Sequence, residues 1–171
     1  MDTSHGRRKL VSYTFIIIVV ASSFLLLTNL SDYIGLLTSM NSLEFSLEEM
    51  SHKSNLDTMN VTLRFRILNP TVYSRLKLSS IQCQIYLISD NNEVFVGATA
   101  YAPSKEMSLE SDIENIVITN LIFSKGSSEI LLQDPPVLEL NWRVRCTLNL
   151  LNPLRKYYQN YNIEITSTSI E

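Results

Sequence analysis

Cysteine, histidine and a set of strand-borne arginines are where the chemistry of this chain has to be sought. Cys83 and Cys146 both share the inward parity of alternating apolar segments, Ile81 to Leu87 and Val144 to Leu150. Parity fixes the direction of a side chain and not its distance from another, so the first reading is two buried thiols packing as small hydrophobes. The alternative is a bridge between two sheets, open where the redox compartment allows it. On the chain-entropy model, closing a loop of 63 residues would stabilise by about 3–4 kcal/mol. Arg64, Arg66, Arg143 and Arg145 all take the outward parity. Were their strands neighbours, four guanidinium groups would form a surface for anionic lipid heads or acidic polysaccharide. The plainer reading pairs each with a carboxylate across a sheet, for instance Glu139 or Glu164, for about 0.2–1 kcal/mol.

The other reactive residue types do not converge. His5 precedes an apolar run and His52 sits in a polar stretch, which disfavours zinc hydrolysis and a histidine-based triad. Gly6, Gly35, Gly97 and Gly126 are too scattered for a phosphate-cradling loop. Glu48-Glu49 and Glu110 with Asp112 have nothing nearby in sequence to shift one member's protonation, and read as solvated surface. The sequence therefore offers no catalytic, cofactor-binding or metal residues, and the expectation is a protein that is not an enzyme. A net charge of −3 gives no reason to expect a nucleic-acid partner, and no small-molecule substrate is indicated. Asn60-Val61-Thr62 matches the glycan acceptor pattern, whereas Asn29 lies too close to the bilayer and Asn69-Pro70-Thr71 is excluded by its proline.

The elements that must position these residues are mostly strands. Val61, Leu63, Phe65 and Ile67 alternate with Thr62, Arg64 and Arg66 until Asn69-Pro70 stops the strand. The design returns 83 residues later, where Val144, Cys146, Leu148 and Leu150 alternate with Arg145, Thr147 and Asn149 before Leu151-Asn152-Pro153. Two strands of one design, each broken by Leu-Asn-Pro, predict equivalent positions in a sandwich of two sheets. Further strands are predicted at 43–47, 76–88, 94–101, 113–123 and 157–167, with a turn at Asp90-Asn91-Asn92-Glu93. Met50 to Asp57 reads as a polar connection. Lys125-Gly126-Ser127-Ser128 reads as a turn feeding a short helix over Glu129 to Leu132, stopped by Pro135-Pro136. Seven strands with one short helix favour a β-sandwich over a barrel.

From Leu10 to Leu30 the only ionisable side chain is Tyr13. At about 1.5 Å per residue this run just crosses a hydrocarbon core of about 30 Å. Arg7, Arg8 and Lys9 precede it, which places the N-terminus in the cytoplasm and the following domain outside. The alternative is a cleaved secretory signal, against which stand the length of the run and the poor cleavage sites at Ser22-Ser23-Phe24 and Thr28-Asn29-Leu30. The expected organisation is a cytoplasmic N-terminus at 1–9, a transmembrane helix at 10–30, a juxtamembrane linker at 31–41 and a β-sandwich at 42–171.

An N-terminal membrane helix, a strand ending in Asn69-Pro70-Thr71, a hairpin carrying Val96-Gly97-Ala98-Thr99-Ala100, and a last Leu151-Asn152-Pro153 strand end together resemble the late embryogenesis abundant (LEA) type 2 family, the WHy domain. The resemblance covers about Leu43 to Ile165, with Asn69, Pro70, Asn152 and Pro153 as its motif residues. Thr71 is followed by Val72-Tyr73-Ser74 and not by the Tyr-Tyr-Asp of plant members, which points to a microbial or archaeal member. The resemblance implies an immunoglobulin-like or fibronectin III-like antiparallel sandwich, an association with desiccation or envelope stress, and no catalytic residues. The functional expectation is a single-pass, extracytoplasmic binding or scaffolding module, held in the lipid bilayer by residues 10–30. The alternative is a small accessory subunit of a larger membrane complex.

Overall fold

A computed structural model describes residues 3–54, 57–89, 92–127, 139–153 and 155–169. A single helix, α1 (Thr3–Ser42), is followed by β1 (Glu44–Ser54), β2 (Thr58–Leu68), β3 (Lys77–Ser89), β4 (Asn92–Tyr101), β5 (Met107–Ser108), β6 (Glu114–Ser124), β7 (Glu139–Leu151) and β8 (Lys156–Ser169). The segment Ser12–Ser42 of α1 is long and apolar enough to cross a membrane. The protein is mainly β, an immunoglobulin-like sandwich of two antiparallel sheets. One sheet runs β4-β3-β7-β8 with β5 beside β3, the other β1-β2-β6. They join where β8 meets β1 in parallel at Ser51 with Thr168 and His52 with Ser169. The opposite edges approach through the Thr99 and Thr119 hydroxyls, 2.9 Å apart.

The alternation reads directly as burial. Val61, Leu63, Phe65 and Ile67 of β2 and Val144, Cys146, Leu148 and Leu150 of β7 are buried between the sheets, together with Trp142. The strands β2 and β7 are each central in their own sheet, so the related pair does occupy equivalent places, on opposite sides of one core. Both end on the same side of the sandwich, because β1 leaves α1 there, pairs antiparallel with the end of β2 through Glu44 and Leu68, and runs parallel to β8.

Two stretches differ from the sequence expectation. The polar connection at 50–57 is strand through Ser54, because a bulge between Leu47 and Glu49 shifts the register. Met50 and His52 consequently face the core and are buried, as an inserted residue reverses the faces beyond it, while Ser51 is buried on the opposite face, where its strand pairs with β8. The juxtamembrane linker expected at 31–41 is helical and forms the last turns of α1. The short helix expected at 129–132 lies outside the described residues, which include a single 3₁₀ turn at Lys125–Ser127.

Candidate functional site

The site with the densest polar bonding is the junction between α1 and the sandwich, and Asn69 is its centre. One face of the last turns of α1, Leu36, Ser39 and then Leu43, is buried, with Asp32, Gly35 and Met40 half-buried beside it. Spacings of three and four residues put these positions on one stripe of the helix. Asn69 is wholly buried. Its Oδ1 accepts from Ser39 Oγ at 2.9 Å, Thr71 Oγ1 at 2.8 Å and Thr71 N at 3.2 Å. Its Nδ2 donates to the Tyr73 carbonyl at 2.8 Å and the Leu109 carbonyl at 2.9 Å. The Asn69 carbonyl accepts from Asp112 N at 2.9 Å. Asp112 has φ 56°, a left-handed conformation that Asp tolerates better than most residues.

The chemistry explains why asparagine stands there. Only a side-chain amide offers two donors and an acceptor on one short stem, so one residue ties the helix, the β2–β3 loop and the 109–112 loop together. Below Asn69 the β2–β3 loop continues along the helix. The Tyr73 ring lies against Gly35, where a methyl group would sit 2.9 Å from the ring, so that position takes glycine for close approach. Arg75 Nη1 reaches Asp32 Oδ1 at 3.1 Å. On the other side of the helix end, Gln159 Nε2 donates to the Met40 carbonyl at 2.6 Å. The second motif asparagine is different. Asn152 sits in the β7–β8 turn, where its Oδ1 accepts from Arg155 N at 2.7 Å and Pro153 is exposed.

The remaining candidate residues divide as follows. Cys83 and Cys146 face each other across β3 and β7, with sulfurs 2.6 Å apart and both cysteines free. They are neighbours within one sheet, so the alternative reading, a bridge between two sheets, does not fit the fold. The contact with Cys146 and burial push the Cys83 thiol pKa far upward, which removes the thiolate that exchange chemistry needs.

The four arginines do not meet. Arg64 and Arg66 lie on the outer face of one sheet, Arg143 and Arg145 on that of the other, because β2 and β7 belong to different sheets. Arg64 approaches Glu48 at 3.4 Å, and Arg66 approaches Glu114 at 3.1 Å and Glu44 at 3.6 Å. Arg143 pairs with Glu93 and Glu164, and Arg145 with Glu93 at 2.7 Å while lying 4.5 Å over the Tyr86 ring. Asn60 is within β2 and its Oδ1 is buried, an unfavourable setting for a glycan acceptor.

One contact had no sequence signal. His52 Nδ1 lies 2.7 Å from Ser167 Oγ, which accepts from Trp142 Nε1 at 2.8 Å. The serine oxygen has a second lone pair besides the one that takes the indole hydrogen, so the tautomer of His52 sets which of the two groups donates in their contact, and burial lowers the His52 pKa, favouring the neutral ring. The separation suits a nucleophile and base, but His52 is 2% and Ser167 0% exposed, so no substrate can reach them. The chain of bonds instead pins β1, β7 and β8 where the two sheets join. Elsewhere, an open trough of about 740 Å³ crosses the outer face of β4-β3-β7-β8, lined by Gln82, Gln84, Ala98, Ala100, Thr147 and Asn160 among others. Among the described residues, no group of three or more His, Cys, Asp or Glu side chains could hold a metal ion.

No family model matches the sequence, and no curated protein matches it. Solved structures similar to the chain include a proposed late embryogenesis abundant protein, at 15% identity over 92% of this chain and 87% of that one, with a TM-score of 0.49. A second protein, from Arabidopsis thaliana, is 15% identical over 73% of this chain and 82% of its own, at TM-score 0.47. A third, from Archaeoglobus fulgidus, is 9% identical over 76% of this chain and 97% of its own, at TM-score 0.45.

Proposed function

We propose that this chain is a membrane-anchored, non-catalytic binding or scaffolding module whose sandwich is held outside the cytoplasm, in the setting of desiccation or envelope stress that the LEA type 2 resemblance implies. The observation that carries the reading is the junction at Asn69: an apolar helix of membrane-spanning length is bonded side-on to the folded domain. A signal cleaved after Ser23 or Thr28 would leave the turns seated at Asn69 on the mature chain, so it is the length of the apolar run, Leu10 to Leu30, that favours an anchor over a cleaved signal. The basic cluster Arg7-Arg8-Lys9 supports the orientation. Protease added to intact cells should digest the sandwich and spare a tag placed ahead of Met1. Protection of the sandwich overturns the orientation, and a mature chain beginning after Ser23 or Thr28 overturns the anchor.

A second reading, an accessory subunit of a larger membrane complex, is favoured by one feature. Ile116, Ile118 and Ile122 are all exposed on one face of β6, an apolar stripe of the kind that marks protein contacts. Gentle extraction and sizing separates the two readings. A defined large assembly supports the subunit, and a monomer-sized particle defeats it.

A further inference from the structure

The β2–β3 loop is placed by its contacts at a definite height on α1. Asn69 bonds Ser39, Tyr73 packs on Gly35, and Arg75 pairs with Asp32. Successive loop residues therefore meet successive helix turns, moving from the domain toward the apolar run. The run ends at Leu30. At about 1.5 Å per residue, Asp32 lies roughly 3 Å, Gly35 roughly 7.5 Å and Ser39 roughly 13.5 Å beyond it along the axis. Headgroups add roughly 5–8 Å on each side of the hydrocarbon core, so the lower part of the loop falls within that layer whenever α1 spans a bilayer.

We propose that Val72 to Arg75, the lower part of the β2–β3 loop, is a lipid-contacting surface, seated in the phospholipid headgroup layer of the bilayer that α1 crosses. The side chains suit that place. Val72 is 94% exposed, an apolar side chain with no protein cover, and seating it among the headgroups takes it partly out of water. The side chain of Arg75 is 62% exposed even though Nη1 is paired with Asp32. The rest of its guanidinium fork is left to face phosphate oxygens. Tyr33, also exposed, stands at the same level of the helix, where amphipathic rings favour the interface. The sandwich would then be held in one pose on the bilayer by two contacts, the helix and the loop.

The inference rests on the membrane-anchor reading, and the test separates the two. The full chain is placed in phosphatidylcholine liposomes that carry no label, lipid spin-labelled on the headgroup, or lipid brominated in the acyl chain. Tryptophan is introduced by Val72→Trp, by Phe24→Trp within the apolar run, and by Ile122→Trp, exposed near the far end of β6. The parent protein supplies the constant signal of Trp142, which is buried in the core. The expected result is a blue-shifted maximum and loss of emission for Val72→Trp with the headgroup label and for Phe24→Trp with the brominated lipid, with Ile122→Trp unaffected by either. An unquenched Val72→Trp beside a quenched Phe24→Trp overturns the loop contact and leaves the anchor standing. An unquenched Phe24→Trp overturns the anchor, and the loop contact with it.

Discussion

Replacing Asn69 by Ala tests the junction most directly. The side chain makes five hydrogen bonds, to Ser39, twice to Thr71, and to the carbonyls of Tyr73 and Leu109. Thr71 and Tyr73 are only half-buried and regain water when the amide is lost. Ser39 and Leu109 are wholly buried, and leaving a buried donor or acceptor unsatisfied costs about 1–3 kcal/mol each. The expected destabilisation is therefore about 2–6 kcal/mol. Asn69→Asp should be worse, because it keeps the shape while replacing two N–H donors with an oxygen aimed at two carbonyls. Asn152→Ala, in the other Leu-Asn-Pro, lies in a partly exposed turn and should cost no more than about 1 kcal/mol. Urea titration of the full chain in detergent reads all three, with the emission of Trp142 reporting the core. A loss at Asn69 no larger than that at Asn152, or an Asp variant as stable as the parent, would refute the account of the socket.

Further outcomes follow from the same contacts. Phe65→Ala, at a wholly buried position, should cost about 3–5 kcal/mol, whereas Arg66→Ala, on a partly exposed outer face, should cost less than about 1 kcal/mol; equal losses in denaturant titration would mean that the strand parity is wrong. Ser39→Ala removes one of three donors to Asn69 Oδ1 and should cost about 1 kcal/mol, with the transition midpoint as readout. His52 has a folded pKa below its unfolded value of about 6.5, so the unfolded chain binds the proton first: its contribution is complete above that pH and is lost as pH falls toward the folded pKa. Denaturation midpoints between about pH 7.5 and pH 5 should fall less steeply in His52→Gln than in the parent, and parallel slopes would show that the ring does not carry the effect.

Much of the fold was legible because period-two alternation survives where a strand lies over a core. The face of Phe65 and the face of Leu148 followed from that pattern alone, as did the hard stops at the two prolines. Where the pattern failed, a tertiary feature had interrupted it. Met50 to Asp57 read as a polar connection after the first strand, yet Glu48 is the extra residue of a bulge, and the strand continues in opposite phase to bury His52. The stretch Ser31 to Asn41 read as a linker because its partners, Asn69, Arg75 and Gln159, are distant in sequence. Proximity was likewise hidden. Parity set the cysteines inward and the arginines outward, but strand order alone decided that the sulfurs would meet within one sheet and that the arginines would stand on opposite faces.

The two Leu-Asn-Pro segments show how one local instruction serves two purposes. In both, proline removes a backbone donor and ends the strand, and the preceding asparagine turns the chain by accepting a nearby amide. Both ends lie on the side of the sandwich from which α1 leaves. At Asn152 the story stops with the turn, since the residues around it remain partly or fully exposed. At Asn69 the last turns of α1 close over the side chain, and the same amide, deprived of water, must find protein partners for all its hydrogen-bonding groups. The helix is what converts a turn signal into a buried hub. A domain merely tethered to a membrane has no need of such a hub, because a polar linker keeps it near the surface in any orientation. Ordering the last turns of α1 against the sandwich costs conformational entropy, and under the proposed anchor what that ordering would secure is a fixed height and pose above the lipid.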